Sequence, residues 1–245
     1  MLIVLMYHNI THMPFAHDEM AFENHLQQLK QNYSLVVPGD KLDQHRPNVC
    51  LTFDDAYFEF YHYVFPLLQK LNIPAVLAIP TGLIQDTTDM DTATRLQVAY
   101  PKTLTAHKTH ATLCTWEEIN TMVATELVIP AAHGHTHQAL TKKDVCLELE
   151  IINAKQLLQE KTQQEIKTFI YPYGRMTRSI NKLIHHHYTY SMRIGSALNL
   201  NWRNAHKVVY RINADAFWLQ GKPFLSLQHK LMLWSRFLNN TLRLK

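Results

Sequence analysis

Eight short apolar runs set the terms for any fold this chain adopts. LIVLMY, SLVV, VCLTF, AVLAI, ELVIPAA, KTFIY, YTYSMRI and VVYRI follow one another along the sequence, separated by longer segments of helical period. Runs rich in Val and Ile that alternate with such segments point to βα units, and so to a mostly parallel sheet or barrel. A chain of 245 residues suits one large domain of that kind, and 47% hydrophobic residues can bury a sizeable core.

Three helices can be placed together with their faces. Residues 18–32, DEMAFENHLQQLKQN, set Phe22, Leu26 and Leu29 at helical spacing. TWEEI opens a second helix, with Thr115 as N-cap and Glu118, three residues on, completing a capping box. The third, residues 142–161, carries Val145, Leu149, Ile152 and Leu157 on one broad face. Asp86 to Thr112 is the least regular stretch and reads as an elaborated loop at one mouth of the fold. Residues 223–245 mix Leu, Met, Trp and Phe with Lys and Arg, which predicts a C-terminal helix added to a domain of residues 1–222. Packing on the body and docking at a membrane surface or on a partner are both open to that helix.

A formal charge of +4 is too small and too scattered to argue for nucleic acid. Cys50, Cys114 and Cys146 are odd in number and widely spaced, so neither a disulfide framework nor a thiolate zinc knuckle is indicated. A reducing compartment is therefore expected. MLIVLMYHNI lacks a basic n-region and a small-residue cleavage site and reads as a first strand. No stretch reaches the roughly 20 apolar residues of a transmembrane helix. The expected location is cytoplasmic, with peripheral attachment to a membrane as the variant.

Two polar stretches follow strands. In CLTFDDAY, strand alternation would send Asp54 and Asp55 to opposite faces, unless the strand ends at or within the pair. A helix N-cap or a solvated turn would account for such a pair in isolation. In AAHGHTHQAL, a strand would bring His133, His135 and His137 to one face as a three-histidine zinc site; a helical turn would pair His133 with His137 instead. Two of these histidines and a strand-end Asp make a two-histidine, one-carboxylate set that leaves coordination positions open for water and substrate. A neighbouring carboxylate could then take a proton from the water.

LTFDDAY, PLLQKLNIPAVLAIPTG, TWEEI, HGHTH and YPYG, in that order, resemble the polysaccharide deacetylases (the NodB-homology domain, carbohydrate esterase family 4). The likeness runs from VLMYH to about residue 195, and YHNI and YPYG are similar to the poly-N-acetylglucosamine deacetylase branch. The resemblance implies a distorted (β/α) barrel with its active mouth at the C-terminal strand ends. It implies metal-dependent removal of N-acetyl groups from a sugar or polysaccharide, with Asp54 as general base. Asp55, His133 and His137 would be metal ligands, for Zn2+ first and for Co2+ or Ni2+ as alternatives. Tyr173 would offer its backbone N–H to the oxyanion.

The chain departs from the family pattern at three places. Gly134 stands where the histidine motif has Ser or Thr, Ile170 stands where an Arg braces the base, and the late Leu-x-x-His motif has only His229 as a counterpart. His8, after the first strand, could serve as acid or substrate contact, and Arg211 could brace Asp54; each is otherwise an ordinary strand-end polar residue. Tyr57, Trp116 and Tyr173 could stack on sugar rings or belong to the core. His185 to His187 read as a solvated helix end. Two rival functions stay open: another metal-dependent amidohydrolase on a similar barrel, and a catalytically impaired glycan-binding domain. The partner expected is a carbohydrate, and no oligomeric state can be read.

Overall fold

A computed structural model describes residues 1–10, 18–98, 102–215 and 227–243. All eight apolar runs form strands: β1 (Leu2–Tyr7), β2 (Ser34–Leu35), β3 (Asn48–Phe53), β4 (Ala75–Ile79), β5 (Val128–Ala132), β6 (Thr168–Ile170), β7 (Tyr190–Ile194) and β8 (Val208–Asn213). They pair in parallel in the order β1-β8-β7-β6-β5-β4-β3, and β3 pairs back onto β1, which closes a seven-stranded barrel; β2 joins the start of β3 from outside. The seams are uneven. β1 and β3 stay in register from Leu2↔Asn48 to Tyr7↔Phe53, whereas β5 meets β6 through Ala132↔Phe169. The expected distorted (β/α) barrel is the fold found.

The strands are apolar on both faces because both faces are buried. Leu2, Val4, Cys50, Val76, Ala78 and Val209 fill the barrel, while Ile3, Leu5, Tyr7, Leu51, Phe53 and Leu77 face the helical layer. In that layer α1 (Asp18–Asn32) buries Phe22, Leu26 and Leu29, each worth about 1.5–3 kcal/mol of apolar burial. A π-helical turn, Phe60–Val64, leads into α2 (Phe65–Leu71).

The stretch from Asp86 to Thr112 is more ordered than its composition predicts. It holds α3 (Thr92–Leu96) and α4 (Thr103–His110); residues 99–101 lie outside the described residues. Arg95, at 6% exposure, anchors it. Its guanidinium donates to both Glu118 oxygens at 2.6 and 2.9 Å and to the carbonyls of Ala111 and Leu113. Glu118 sits in α5 (Trp116–Val123), whose N-terminus carries the predicted capping box with Thr115.

The third predicted helix is offset from its expected face. Residues Glu148–Asn153 form a π-helical turn that runs into α6 (Ala154–Thr162). The wider turn rotates the helix beyond it, so Ile151, Ala154 and Leu158 become the buried centre. Val145, Leu149, Ile152 and Leu157 flank it, half-buried. The same turn carries Glu150 inward, to 2% exposure.

His185 to His187 end α7 (Arg178–His187), with basic residues at the negative end of its dipole. α8 (Leu227–Arg243) packs on β8 through Phe237, and its Leu233 joins the outer core; residues 216–226, 244 and 245, where the predicted domain boundary falls, lie outside the described residues. Among the described residues no helix is long and apolar enough to cross a membrane. The three cysteines are free.

Candidate active site

Strand β3 ends at Phe53, and the chain breaks where the acid pair requires it. Asp54 N–H donates to Tyr7 O at 2.8 Å, and Asp55 and Ala56 come next with φ of 71° and 53°. Left-handed backbone costs a non-glycine residue roughly 1–2 kcal/mol, so contacts nearby must hold the turn. The two carboxylates part there. Asp54 turns to β8, and Asp55 turns to the loop after β5.

That loop carries His133 and His137. Asp55 Oδ1 lies 3.0 Å from His137 Nε2 and 3.5 Å from His133 Nε2, and the three ligand atoms fall within 4.8 Å of one another. His133 Nδ1 donates to Ile170 O at 2.8 Å. Since a carbonyl can only accept, this puts a proton on Nδ1 and turns Nε2 toward Asp55. With Nδ1 committed, Nε2 is the ring atom left to bind a cation shared with the buried carboxylate. Asp55 Oδ1 is indeed buried without a hydrogen bond, while its Oδ2 accepts from Tyr57 Oη at 2.8 Å. Burial alone would raise the Asp55 pKa; the two imidazoles outweigh it and hold the carboxyl well below the usual range. Two imidazoles and one carboxylate, one imidazole oriented by a backbone carbonyl, fit a divalent ion such as zinc.

Asp54 is bound on its other side. Arg211, fully buried in β8, donates from Nη1 to Oδ1 at 2.6 Å and from Nη2 to Oδ2 at 2.8 Å, a two-pronged clamp. Nη1 also donates to Thr52 Oγ1. Burial opposes ionisation of Asp54, and the Arg211 charge overrides it, so its pKa lies below the ordinary value. Asp54 Oδ2 stays 3.9 Å from His133 Nε2, beside the triad without joining it. Ile170, where the family pattern has an Arg, contributes its carbonyl to His133, and β8 supplies the arginine instead.

His8 follows β1, next to Asp54 through the Tyr7↔Phe53 register. Its Nδ1 donates to Asp215 Oδ2 at 3.0 Å, and its backbone N–H donates to Asp215 Oδ1. The other ring nitrogen, Nε2, lies 3.9 Å from Asp54 Oδ2. Burial would lower the His8 pKa, yet the Asp215 hydrogen bond and the surrounding carboxylates raise it to about 9. The carboxylates around it thus favour the protonated ring.

Gly134 has its own reason to be glycine. Its φ is +77°, and a Cβ there would stand 2.5 Å from Glu150 Oε2. Glu150 accepts from the backbone N–H groups of His135 and Thr136 and from the Thr136 hydroxyl, so it braces the loop where the family motif has a hydroxyl after its first histidine. The His135 ring packs over Gly82 and bonds Thr81 Oγ1 through Nδ1 at 3.0 Å. Only His133 and His137 turn to Asp55; the pairing is that of the helical alternative, but the segment is a bent loop and not a helix, with Gly134 and His137 at φ 77° and 55°.

His8, Asp54, Asp55, His133 and His137 line one cavity of about 340 Å³, whose remaining walls are Tyr57, Leu104, Tyr173 and Ile194. Tyr173 is 59% exposed, and its left-handed backbone (φ 56°) turns the YPYG segment along the rim. Tyr57 is committed to Asp55 rather than presented as an open stacking platform. Trp116 is a correction: it is 5% exposed and packs in the core between helices and barrel, because the N-cap at Thr115 turns the first helical residue inward. His229 lies exposed on α8. Sequence reasoning missed Asp215, Glu150, Leu104 and Ile194. Asp215 alone had a signal, an acid just past a strand.

A barrel whose strand ends gather an Asp/His/His triad, an arginine-clamped carboxylate and a histidine defines a class, and comparison with known proteins agrees with it. A model of the polysaccharide deacetylase family matches residues 41–191, more than half of the chain, and the chain belongs to that family. It is 38% identical over 85 residues to the poly-β-1,6-N-acetyl-D-glucosamine N-deacetylase of Escherichia coli K12. That match spans 35% of this chain and 11% of the relative's length. Among solved structures, the Streptococcus pyogenes deacetylase PplD in complex with acetate superposes with a TM-score of 0.69 at 19% identity, over 95% of this chain and 97% of that one. IcaB from Ammonifex degensii gives 0.67 at 21% identity, over 89% and 94%. At such identities the likeness is one of fold.

Proposed function

We propose that the chain is a metal-dependent N-deacetylase of an N-acetylated sugar polymer, hydrolysing the acetamide to acetate and a free amine. The observation that carries the reading is the parting of the two adjacent acids, Asp55 into the His133/His137 triad and Asp54 into the Arg211 clamp. A divalent ion bound by Asp55, His133 and His137, zinc by its donor preference with Co2+ or Ni2+ as substitutes, would supply Lewis acidity and an acidified water. Asp54, kept ionised by Arg211, accepts the proton that leaves the attacking water as its oxygen bonds to the carbonyl carbon. The clamp also fixes the direction in which Asp54 can accept it.

The Tyr173 backbone N–H, on the rim, steadies the charge that builds on the carbonyl oxygen; an oxyanion donor of this kind is worth about 3–4 kcal/mol. His8 then gives its Nε2 proton to the departing nitrogen as the C–N bond breaks, while Asp215 holds Nδ1 and the ring's orientation. The Leu104 and Ile194 walls exclude water beside the reacting group. The family pattern lacks its arginine and its late histidine here, which made an inactive glycan-binding domain a serious rival. Arg211 and the His8–Asp215 pair standing at the same mouth favour an active enzyme.

The curated relative acts on poly-β-1,6-N-acetyl-D-glucosamine, so oligomers of that linkage are the first substrate to try. Acetate released without chain shortening supports the reading. Chain cleavage, or no acetate from any N-acetylated glycan by the zinc-loaded protein, overturns it.

A further inference from the structure

Helix α8 has two apolar faces, and the barrel covers one of them. Phe237, at 6% exposure, packs with Tyr210, Val208 and Ala197, and Leu233, at 4%, joins the large outer cluster between barrel and helices. On the other side Leu231, Leu238 and Leu242, spaced i, i+7 and i+11, share a single stripe at 63%, 60% and 58% exposure. Three leucines more than half exposed in line on one helix, with the small Ser235 between the first two, are more apolar surface than one helix face in water usually presents.

The charge around the stripe says what it contacts. After Asp215 the sequence has no acidic residue, and Lys222, Lys230, Arg236, Arg243 and Lys245 follow. These five cations exceed the net charge of the whole chain, +4, so all of its positive excess lies in this segment. A helix with an apolar stripe, Lys230 and Arg236 beside it and no acid is complementary to an anionic lipid surface, where leucines enter the acyl boundary and basic side chains meet the headgroups. An anionic polymer would satisfy the cations and leave the leucines in water.

The attachment of the helix gives the surface a direction. Asn240 Nδ2 donates to Gly195 O at 2.9 Å, and Ile194, the residue before, is a wall of the catalytic cavity. The C-terminal half of α8 therefore adjoins the mouth. We infer that α8 docks this protein on an anionic bilayer through Leu231, Leu238 and Leu242, with the mouth of the barrel beside the membrane surface. The inference stands independently of the deacetylase reading.

Flotation of the full chain with vesicles of phosphatidylcholine alone, and of phosphatidylcholine mixed with phosphatidylglycerol, tests it. The protein floats with the mixed vesicles, less so as salt is raised, and only weakly with phosphatidylcholine. Leu238→Asp/Leu242→Asp lowers the partition coefficient by roughly tenfold or more, with the circular dichroism spectrum, thermal midpoint and zinc stoichiometry unchanged. Lys230→Gln/Arg236→Gln, which leaves the leucines in place, removes the salt-sensitive part. Equal flotation on both vesicle types, no flotation, or a leucine double variant that floats like the wild type overturns the proposal. So does light scattering that finds a vesicle-free dimer made monomeric by Leu238→Asp/Leu242→Asp, since a second copy would then cover the stripe.

Discussion

Replacing Arg211 by Met takes away both prongs that hold Asp54 and leaves a carboxylate that is 3% exposed with its main counter-charge gone. Removing one partner of a buried ion pair costs about 3–5 kcal/mol, a large part of a typical domain's stability. Asp54 can relieve part of that cost by taking up a proton. Burial favours the neutral form of a carboxyl that has lost its guanidinium, so the Asp54 pKa moves up. A smaller fraction of molecules then retains an ionised base at mildly acidic pH.

The pH dependence of stability changes sign with it. In the wild type the depressed Asp54 contributes stability that is present above about pH 3.9 and is lost as pH falls through its lower folded value. In Arg211→Met the raised carboxyl makes the protein less stable as pH rises from about 4 to 8. Urea midpoints across that range and the acid limb of kcat/KM for acetate release read the two effects separately. Asp54→Asn/Arg211→Met, with neither charge left, recovers part of the lost stability, a coupling on the order of 2 kcal/mol. An acid limb that stays in place, with stability within about 0.5 kcal/mol of wild type, refutes the reasoning.

Asp215→Asn removes the hydrogen bond that helps to raise His8 to about 9. The alkaline limb of acetate release moves down by about one unit or more, because less His8 is protonated at a given pH; an unmoved limb excludes His8 as the acid. In wild type the His8 contribution to stability is present below about pH 6.5 and fades as pH rises through the folded value of about 9. Gly134→Ser restores the family residue and fails: with φ +77° and Glu150 Oε2 2.5 Å from the new Cβ, stability drops by about 1–2 kcal/mol. Zinc affinity falls about tenfold with it, read by calorimetry. Zinc at about 100 times its dissociation constant raises the stability of metal-free protein by about 2.7 kcal/mol; a melting curve indifferent to zinc and chelator would contradict the triad as a metal site.

The features legible in the sequence were those the chain holds locally. Each strand announced itself as an apolar run. Asp54 with Asp55, and His133 with His137, are local neighbours; their spacing left a three-histidine face and a His133/His137 pair open, and the resemblance to the deacetylases chose the pair. Arg211, His8 and Asp215 needed closure of the barrel. β3 pairs with β1, and β1 with β8, so residues 8, 54, 211 and 215 meet across most of the chain's length, and no spacing rule records that. Glu150 was hidden for another reason: a π turn shifts the helical phase, so an acid that should face solvent turns inward beneath Gly134. Trp116 misled because an aromatic beside an N-cap looks the same in sequence whether it turns to the mouth or to the core.

The division of labour between the two adjacent acids is best tested by loading metal-free Asp54→Asn and Asp55→Asn with zinc, then measuring bound zinc by elemental analysis and acetate release on the same samples. Asp54→Asn should bind one zinc per chain and release no acetate above background, while Asp55→Asn should lose the zinc and the activity together. Full activity in Asp54→Asn, or zinc retained at one per chain in Asp55→Asn, would contradict the account at its centre.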